Sequence, residues 1–290
     1  MNNVFRYTEQ PDQSHKGMEM PRSPKEHPKA QHEGEISLTV SRALQLLSMY
    51  DPSRAELGVS ELSRMLDLSR TAVQRLIQTL EMHHFLEQSP TTRKYRIGVQ
   101  AFRVGTLFTF GRQLEILARP ELDALVEKTR FTAYLSVLRY NTMVMTAAVE
   151  GAGPIRYYAQ IGQRLPLHST ATGKVALAQL SPEAAGKLLD QLGMPRITPG
   201  TIIDRRRLQT ELATIRQRGY SVNWEENTVG VGSIAAPIRD ASGDLLAVLS
   251  IAFATSQVER SQIASLGAQV FKTAAKISVL VRPGRPSAAA

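Results

Sequence analysis

Arg70, Gln74 and Gln78 recur every four residues, with Thr71 and Arg75 one step aside, so a helix over this stretch carries one edge of long hydrogen-bonding side chains. Arginine can bond guanine through two parallel hydrogen bonds and glutamine can do the same for adenine, which makes Arg70, Gln74 and Arg75 the candidates for base contact, with Gln78 further along the row. Ser69 and Thr71 stand at the helix entry, where backbone phosphates would be met. A second basic group, Arg93, Lys94 and Arg96, follows soon after in a turn-and-strand context suited to neighbouring phosphates. A different chemistry is offered near Thr170 and Thr172. Their hydroxyls, with the backbone N–H groups of a helix start, can hold a carboxylate, and they can equally serve as ordinary helix caps.

Other combinations look reactive and fail on spacing. Ala171-Thr172-Gly173-Lys174 resembles the end of a phosphate-binding loop, but His168 stands at the place of its first glycine and Val175 replaces the magnesium-binding hydroxyl. His168 and Ser169 are neighbours with no nucleophile elbow around the serine, so a histidine holding backbone is expected. Glu225-Glu226 would point to opposite faces of a strand, which suggests solvated or rim positions rather than an acid/base pair. His83-His84 lacks metal-ligand spacing. With no cysteine in the chain, disulfides, thiolate zinc sites and cysteine nucleophiles are excluded. No metal, no cofactor and no enzymatic activity are expected.

The elements that must position these residues can be read from periodicity. Val40, Leu44 and Leu47 share a helical face between Ser37 and Asp51-Pro52. Ser60 is the expected cap of a second helix with Leu62, Met65 and Leu66 inward, and Ser69 caps a third in which Val73, Leu76, Ile77 and Leu80 form the buried stripe. Phe85–Gln88 and Arg93–Ile97 read as a hairpin around Ser89-Pro90-Thr91-Thr92. Three short helices followed by a basic hairpin fit a winged helix-turn-helix, whose second element enters the major groove of double-stranded DNA. Val99 to Ala118 reads as a connecting helix ending at Arg119-Pro120. Beyond it come a helix near Glu121–Lys128, strands at Thr132–Leu138, Met143–Val149 and Ile155–Tyr158, and helices at Pro182–Leu192 and Asp204–Arg218. Then follow strands at Tyr220–Trp224, Ser233–Arg239 and Asp244–Ala254, and a last helix over Gln257–Leu280. Short turns between strands imply an antiparallel sheet, and the fold class is α+β.

The 290 residues suffice for two cores. The expected division is a disordered, proline-rich tail over 1–35, a reading head over 36–98, a linker helix over 99–118, a larger domain over 119–282 and a short tail over 283–290. The net charge of +9 suits a polyanionic partner, yet its excess lies mostly outside the reading head. Residues 36–98 hold 8 Lys+Arg against 6 Asp+Glu, whereas 119–290 hold 20 against 13, so charge alone does not establish nucleic-acid binding. Neither a secretory signal nor an apolar run of membrane-spanning length is present, and a cytoplasmic protein with no membrane partner is expected.

From about Ser37 to Leu280 the sequence resembles the IclR family of bacterial transcriptional regulators. The matching stretches include Val40-Ser41-Arg42-Ala43-Leu44, the run from Leu68 to Leu76, Lys94-Tyr95-Arg96-Ile97-Gly98, the run from Gly162 to Lys174, Arg216-Gln217-Arg218-Gly219-Tyr220, and the run from Gly230 to Pro237. The resemblance implies a GAF-like effector domain, a linker helix that helps dimerisation, and homodimers or homotetramers on palindromic operators as repressors or activators. It also implies control by a small carboxylate or aromatic catabolite. By position it assigns Ala171 and Thr172, Asn223, Ser233 and Ser250 to the effector pocket, with Leu135 as an apolar wall. The family often carries Asp where Asn223 stands, Arg-Cys at Gly232-Ser233 and serine at Ala252. The alternatives are a C-terminal domain serving only oligomerisation or protein interaction, and a metabolic enzyme, which would show turnover without DNA binding.

Overall fold

The computed structural model describes residues 36–51, 54–107, 109–152 and 161–281, with backbone alone for 109–112. The expected tails over 1–35 and 283–290 and the expected strand at Ile155–Tyr158 lie outside the described residues.

The N-terminal part holds α1 (Leu38–Leu47), α2 (Val59–Leu66) and α3 (Arg70–Met82), then a hairpin of β1 (Leu86–Gln88) and β2 (Tyr95–Ile97). Leu46, Leu62, Val73, Leu76, Ile77 and Leu86 meet in one small core. The hairpin is fixed to the helices because Leu57, in the turn before α2, exchanges both backbone hydrogen bonds with Tyr95, each at 2.9 Å. Two expectations need correction. In α1 the periodic face of Val40 and Leu44 points outward, at 57% and 60% exposure, while Leu46 is the fully buried residue. In α2 the cap is Gly58 rather than Ser60: the Glu61 carboxylate accepts the Gly58 N–H at 2.7 Å, and this bond, aided by Lys94, holds the Glu61 carboxyl below its ordinary range.

The chain then forms α4 (Val99–Gly105) and α5 (Thr109–Thr129). The helix expected to stop at Arg119-Pro120 continues, because proline removes only the hydrogen bond to Ile116, an exposed residue, and the buried positions Leu114, Ala118, Leu122 and Leu125 keep one face across it.

Among the described residues the larger part is a six-stranded antiparallel sheet with spatial order β5-β4-β3-β8-β7-β6. Its strands are β3 (Thr132–Arg139), β4 (Thr142–Val149), β5 (Arg164–Leu165), β6 (Ser221–Trp224), β7 (Val231–Arg239) and β8 (Leu245–Ala254). Both faces are covered. On one, α5 and α9 (Ile263–Leu280) lie over Ala133, Leu135, Val137, Ile234, Leu249 and Ile251. On the other, α6 (Ala171–Ala178), α7 (Pro182–Leu192) and α8 (Arg205–Arg218) lie over Tyr134, Met145, Ala235, Val248 and Ala252. The last helix begins later than expected, after two short 3-10 turns at Thr255–Gln257 and Arg260–Gln262.

Candidate functional site

The candidate recognition surface is built on α3. Ser69 caps it by accepting the Ala72 N–H at 3.2 Å, and the buried row Val73, Leu76, Ile77 and Leu80 fixes which face remains outside. Arg70, Thr71, Arg75 and Gln78 are exposed and Gln74 is half-buried. Among the described residues, the side chains of Arg70, Gln74, Arg75 and Gln78 make no hydrogen bond and no ion pair, so their donors are unspent. The hairpin differs. Lys94 pairs with Glu61 at 3.2 Å and Arg96 with Glu87 at 2.5 Å, while Arg93, at a positive φ of 58° at the turn, has no carboxylate partner among the described residues. Exposed pairs of this kind are worth about 0–1 kcal/mol, so a phosphate can displace either carboxylate at small cost.

In the larger domain, Thr170, Ala171, Thr172, Asn223, Ser233 and Ser250 line one cavity of about 50 Å3. Three segments far apart in sequence meet there. Gly173 lets the start of α6 press onto the preceding loop, since a Cβ at that position would stand 2.4 Å from Leu167 Cα. Thr170 is spent on the fold: its hydroxyl donates to Pro166 O at 2.6 Å and accepts the Gly173 N–H at 3.0 Å. Asn223 is spent similarly, its amide donating to Ser169 O and accepting the Glu226 N–H, both at 2.9 Å. Ser233 and Ser250, on adjacent strands, have hydroxyls without a partner among the described residues. Among the described residues no Asp, Glu, His, Lys or Arg side chain lines the cavity.

Leu135 does not belong to this group. It is fully buried on the opposite sheet face, under α5 and α9, and its neighbour Tyr134 faces the cavity instead. A strand covered on both sides carries apolar residues in both parities, so the pattern over Thr132–Arg139 leaves the facing open. Met145, Asn227 and Thr228 also line the cavity and escaped sequence reasoning. Asn227 accepts from the Ser169 hydroxyl at 3.2 Å, a contact across 58 residues that no local pattern announces.

Beside the cavity, Lys174 on α6 is 1% exposed; its ammonium group donates to Val222 O at 2.8 Å and pairs with Glu226. The expected solvated or rim position of Glu226 is therefore corrected: it is buried, and its second carboxylate oxygen has no partner among the described residues. Burial pushes the Glu226 carboxyl up, and Lys174 draws it partly back. His168 does hold backbone, at 2.9 Å from Pro195 O.

This arrangement has counterparts in known proteins. Residues 39–90 match the IclR helix-turn-helix domain, and residues 110–279 match the bacterial transcriptional regulator IclR C-terminal domain. The chain is 32% identical over 235 residues to the HTH-type transcriptional regulator XynR of Escherichia coli K12, covering 81% of this chain and 93% of that one. It is 31% identical over 243 residues to the transcriptional repressor IclR of the same organism, covering 83% and 89%. The crystal structure of Thermotoga maritima IclR superposes with a TM-score of 0.65 at 26% identity, covering 84% of this chain and 98% of that one. An IclR homologue from Microbacterium hydrocarbonoxydans, complexed with 4-hydroxybenzoate, superposes with a TM-score of 0.73 at 22% identity, covering 84% and 98%. These relatives are transcriptional regulators rather than enzymes, and among the described residues no helix is long and apolar enough to cross a membrane. A helix-turn-helix joined to an α+β domain with an antiparallel sheet, matched along both parts, places the chain in the IclR family of DNA-binding transcriptional regulators.

Proposed function

We propose that this regulator reads a two-fold-symmetric operator as a homodimer or homotetramer in the cytoplasm, and that a small carboxylate bound beside α6 controls it. The carrying observation is the outer face of α3, where Arg70, Gln74, Arg75 and Gln78 are all unspent by the fold. Arg70, Gln74 and Arg75 are assigned to base edges, with Gln78 along the same groove; Ser69, Thr71 and the hairpin cations Arg93, Lys94 and Arg96 are assigned to phosphates. For the effector, the N–H groups and hydroxyls at Thr170, Ala171 and Thr172 are assigned to the carboxylate, and Ser233 and Ser250 to a second polar group of the ligand. Asn223 acts mainly by holding Ser169 and Glu226 in place.

The cavity, at about 50 Å3, is well below the usual range of roughly 300–1,000 Å3 for drug-sized ligands, which favours an acid of few heavy atoms over an aromatic catabolite. The 4-hydroxybenzoate in the Microbacterium homologue supports control by an organic acid. Oligomerisation is supported by two apolar faces left open around the reading head: Leu38, Val40 and Leu44 on α1, and Val99, Phe102 and Leu107 around α4. In this reading the ligand favours one spacing of the paired reading heads through its difference in affinity between arrangements.

Electrophoretic shifts on the DNA upstream of the protein's own gene, with and without a panel of two- to six-carbon acids, test this. The expected result is a sequence-selective shift whose midpoint moves with an acid that also raises the melting temperature. Selective DNA binding indifferent to every stabilising acid would reduce the larger domain to an oligomerisation or interaction module.

A further inference from the structure

At the C-terminal end of α6, away from the cavity at its start, the surface encloses a second cavity of about 360 Å3. Ile215, Pro237 and Phe271 line its apolar part; Arg216 and Arg218 from the last turn of α8, and Arg239 from the end of β7, line its polar part. Among the described residues no carboxylate lines it.

The three guanidinium groups are already held in place. Arg216 donates to Ala178 O at 2.8 Å and Leu180 O at 3.0 Å; Arg239 donates to Gly243 O at 2.8 Å and to the Gln179 side chain. Arg218 donates to Tyr220 O at 2.6 Å and pairs with Glu211 at 2.8 Å. Of the three, only Arg218 has an acidic partner among the described residues. Arg216 and Arg239 are met by neutral oxygens alone among the described residues, leaving two full positive charges. The C-terminal dipoles of α6 and α8 supply about half a negative charge each, so together they cancel roughly one of the two. Each guanidinium carries five N–H donors and uses two, so donors remain in a geometry whose ordering cost was met on folding. The apolar wall is fixed too. Phe271 is 43% exposed, and Gly219, at φ 82°, allows its ring to lie against the chain where a Cβ would stand 2.6 Å from it.

Two held guanidinium groups of net positive charge, lining one cavity with an exposed aromatic ring, suit an oxyanion attached to an aromatic group. We propose that this cavity binds a small aryl carboxylate or aryl phosphate, its oxyanion on Arg216 and Arg239 and its ring on Phe271. The site is separate from the proposed effector cavity and does not depend on that assignment.

Isothermal titration of the full-length chain with benzoate, phenyl phosphate and inorganic phosphate tests it. At least one aryl anion is expected to bind, and the tighter of the two identifies the oxyanion. Arg216→Gln combined with Arg239→Gln should weaken it about tenfold or more, since charge-assisted hydrogen bonds are removed. Ser250→Val, which fills the other cavity, should leave this binding unchanged. Phe271→Leu removes no hydrogen bond and should weaken the aryl anions while leaving inorganic phosphate as in the wild type; it decides the matter alone if the arginine pair proves necessary for folding. Absence of aryl binding at millimolar concentration, binding lost in Ser250→Val, binding that survives the arginine or phenylalanine changes, or inorganic phosphate binding as tightly as the aryl anions would each overturn the proposal.

Discussion

The outer face of α3 and the cavity beside α6 both collect polar side chains, but they treat them in opposite ways. On α3 the donors are exposed and unspent, and the structural work is done by the other face of the same helix. In the cavity, Thr170 and Asn223 are consumed by holding the loop and the sheet edge together, and the hydroxyls of Thr228, Ser233 and Ser250 remain without partners among the described residues. A surface that meets a large charged partner can keep its recognition groups in water until contact. A cavity set into the domain must satisfy most of its buried polar groups before any ligand arrives, so most of its polar residues are architectural. The same contrast governs charge: arginines stand free on α3, whereas the buried Lys174 beside the cavity is paired with Glu226.

The largest expected effect tests that buried pair. Lys174→Met strands a buried carboxylate and should cost the larger domain about 3–5 kcal/mol in denaturant unfolding, with much of the loss recovered when Glu226→Met is added. A small loss would mean that the cavity's charges are as loosely held as those of α3. The pH dependence follows from the raised Glu226 carboxyl. A raised value in the folded state gives a contribution that is complete below the ordinary carboxylate range and is lost as the pH rises through the raised value, so the stability of wild type relative to Glu226→Gln should fall with rising pH.

Next in size is Leu135→Ala, expected to cost about 2–5 kcal/mol through a hole under α5 and α9. Because Leu135 lies on the far face of the sheet, the affinity of any acid found to bind beside α6 should barely change in molecules that remain folded. A selective loss of acid affinity without loss of stability would return Leu135 to the cavity. The smallest effect separates two serines. Ser69→Ala should cost about 1 kcal/mol of reading-head stability as a lost cap, whereas Ser60→Ala should stay within about 0.5 kcal/mol, since Glu61 and Gly58 close that helix. Equal losses would contradict the assignment of the caps.

The same contrast explains what was legible in the sequence. Helix α3 is amphipathic and capped within a dozen residues, so both its buried row and its exposed row follow from local spacing. The buried face of α1 was misread because its exterior is apolar too: Val40 and Leu44 imitate a core stripe while Leu46 is the residue inside. The antiparallel strands were legible from short turns, but the facing of β3 was not, since a sheet covered on both sides has no polar parity. Helix α5 running through Pro120 went unread because proline's usual effect on helices is overridden by continuous packing of Leu114, Ala118 and Leu122. Of the positions carried over by resemblance, Ala171, Thr172, Asn223, Ser233 and Ser250 came together and Leu135 did not, whereas Asn227 and the Lys174–Glu226 pair depend on contacts across about fifty residues and leave no local mark.

The central claim rests on α3, and the most direct measurement is the affinity of Arg70→Ala combined with Arg75→Ala for a duplex selected by the wild type from a random library, set against a scrambled duplex at the same salt. Each lost base contact is worth about 1–3 kcal/mol, so the preference for the selected duplex should shrink by roughly thirtyfold or more, with the scrambled duplex affected far less. An unchanged ratio between the two duplexes would show that sequence is read elsewhere on the molecule.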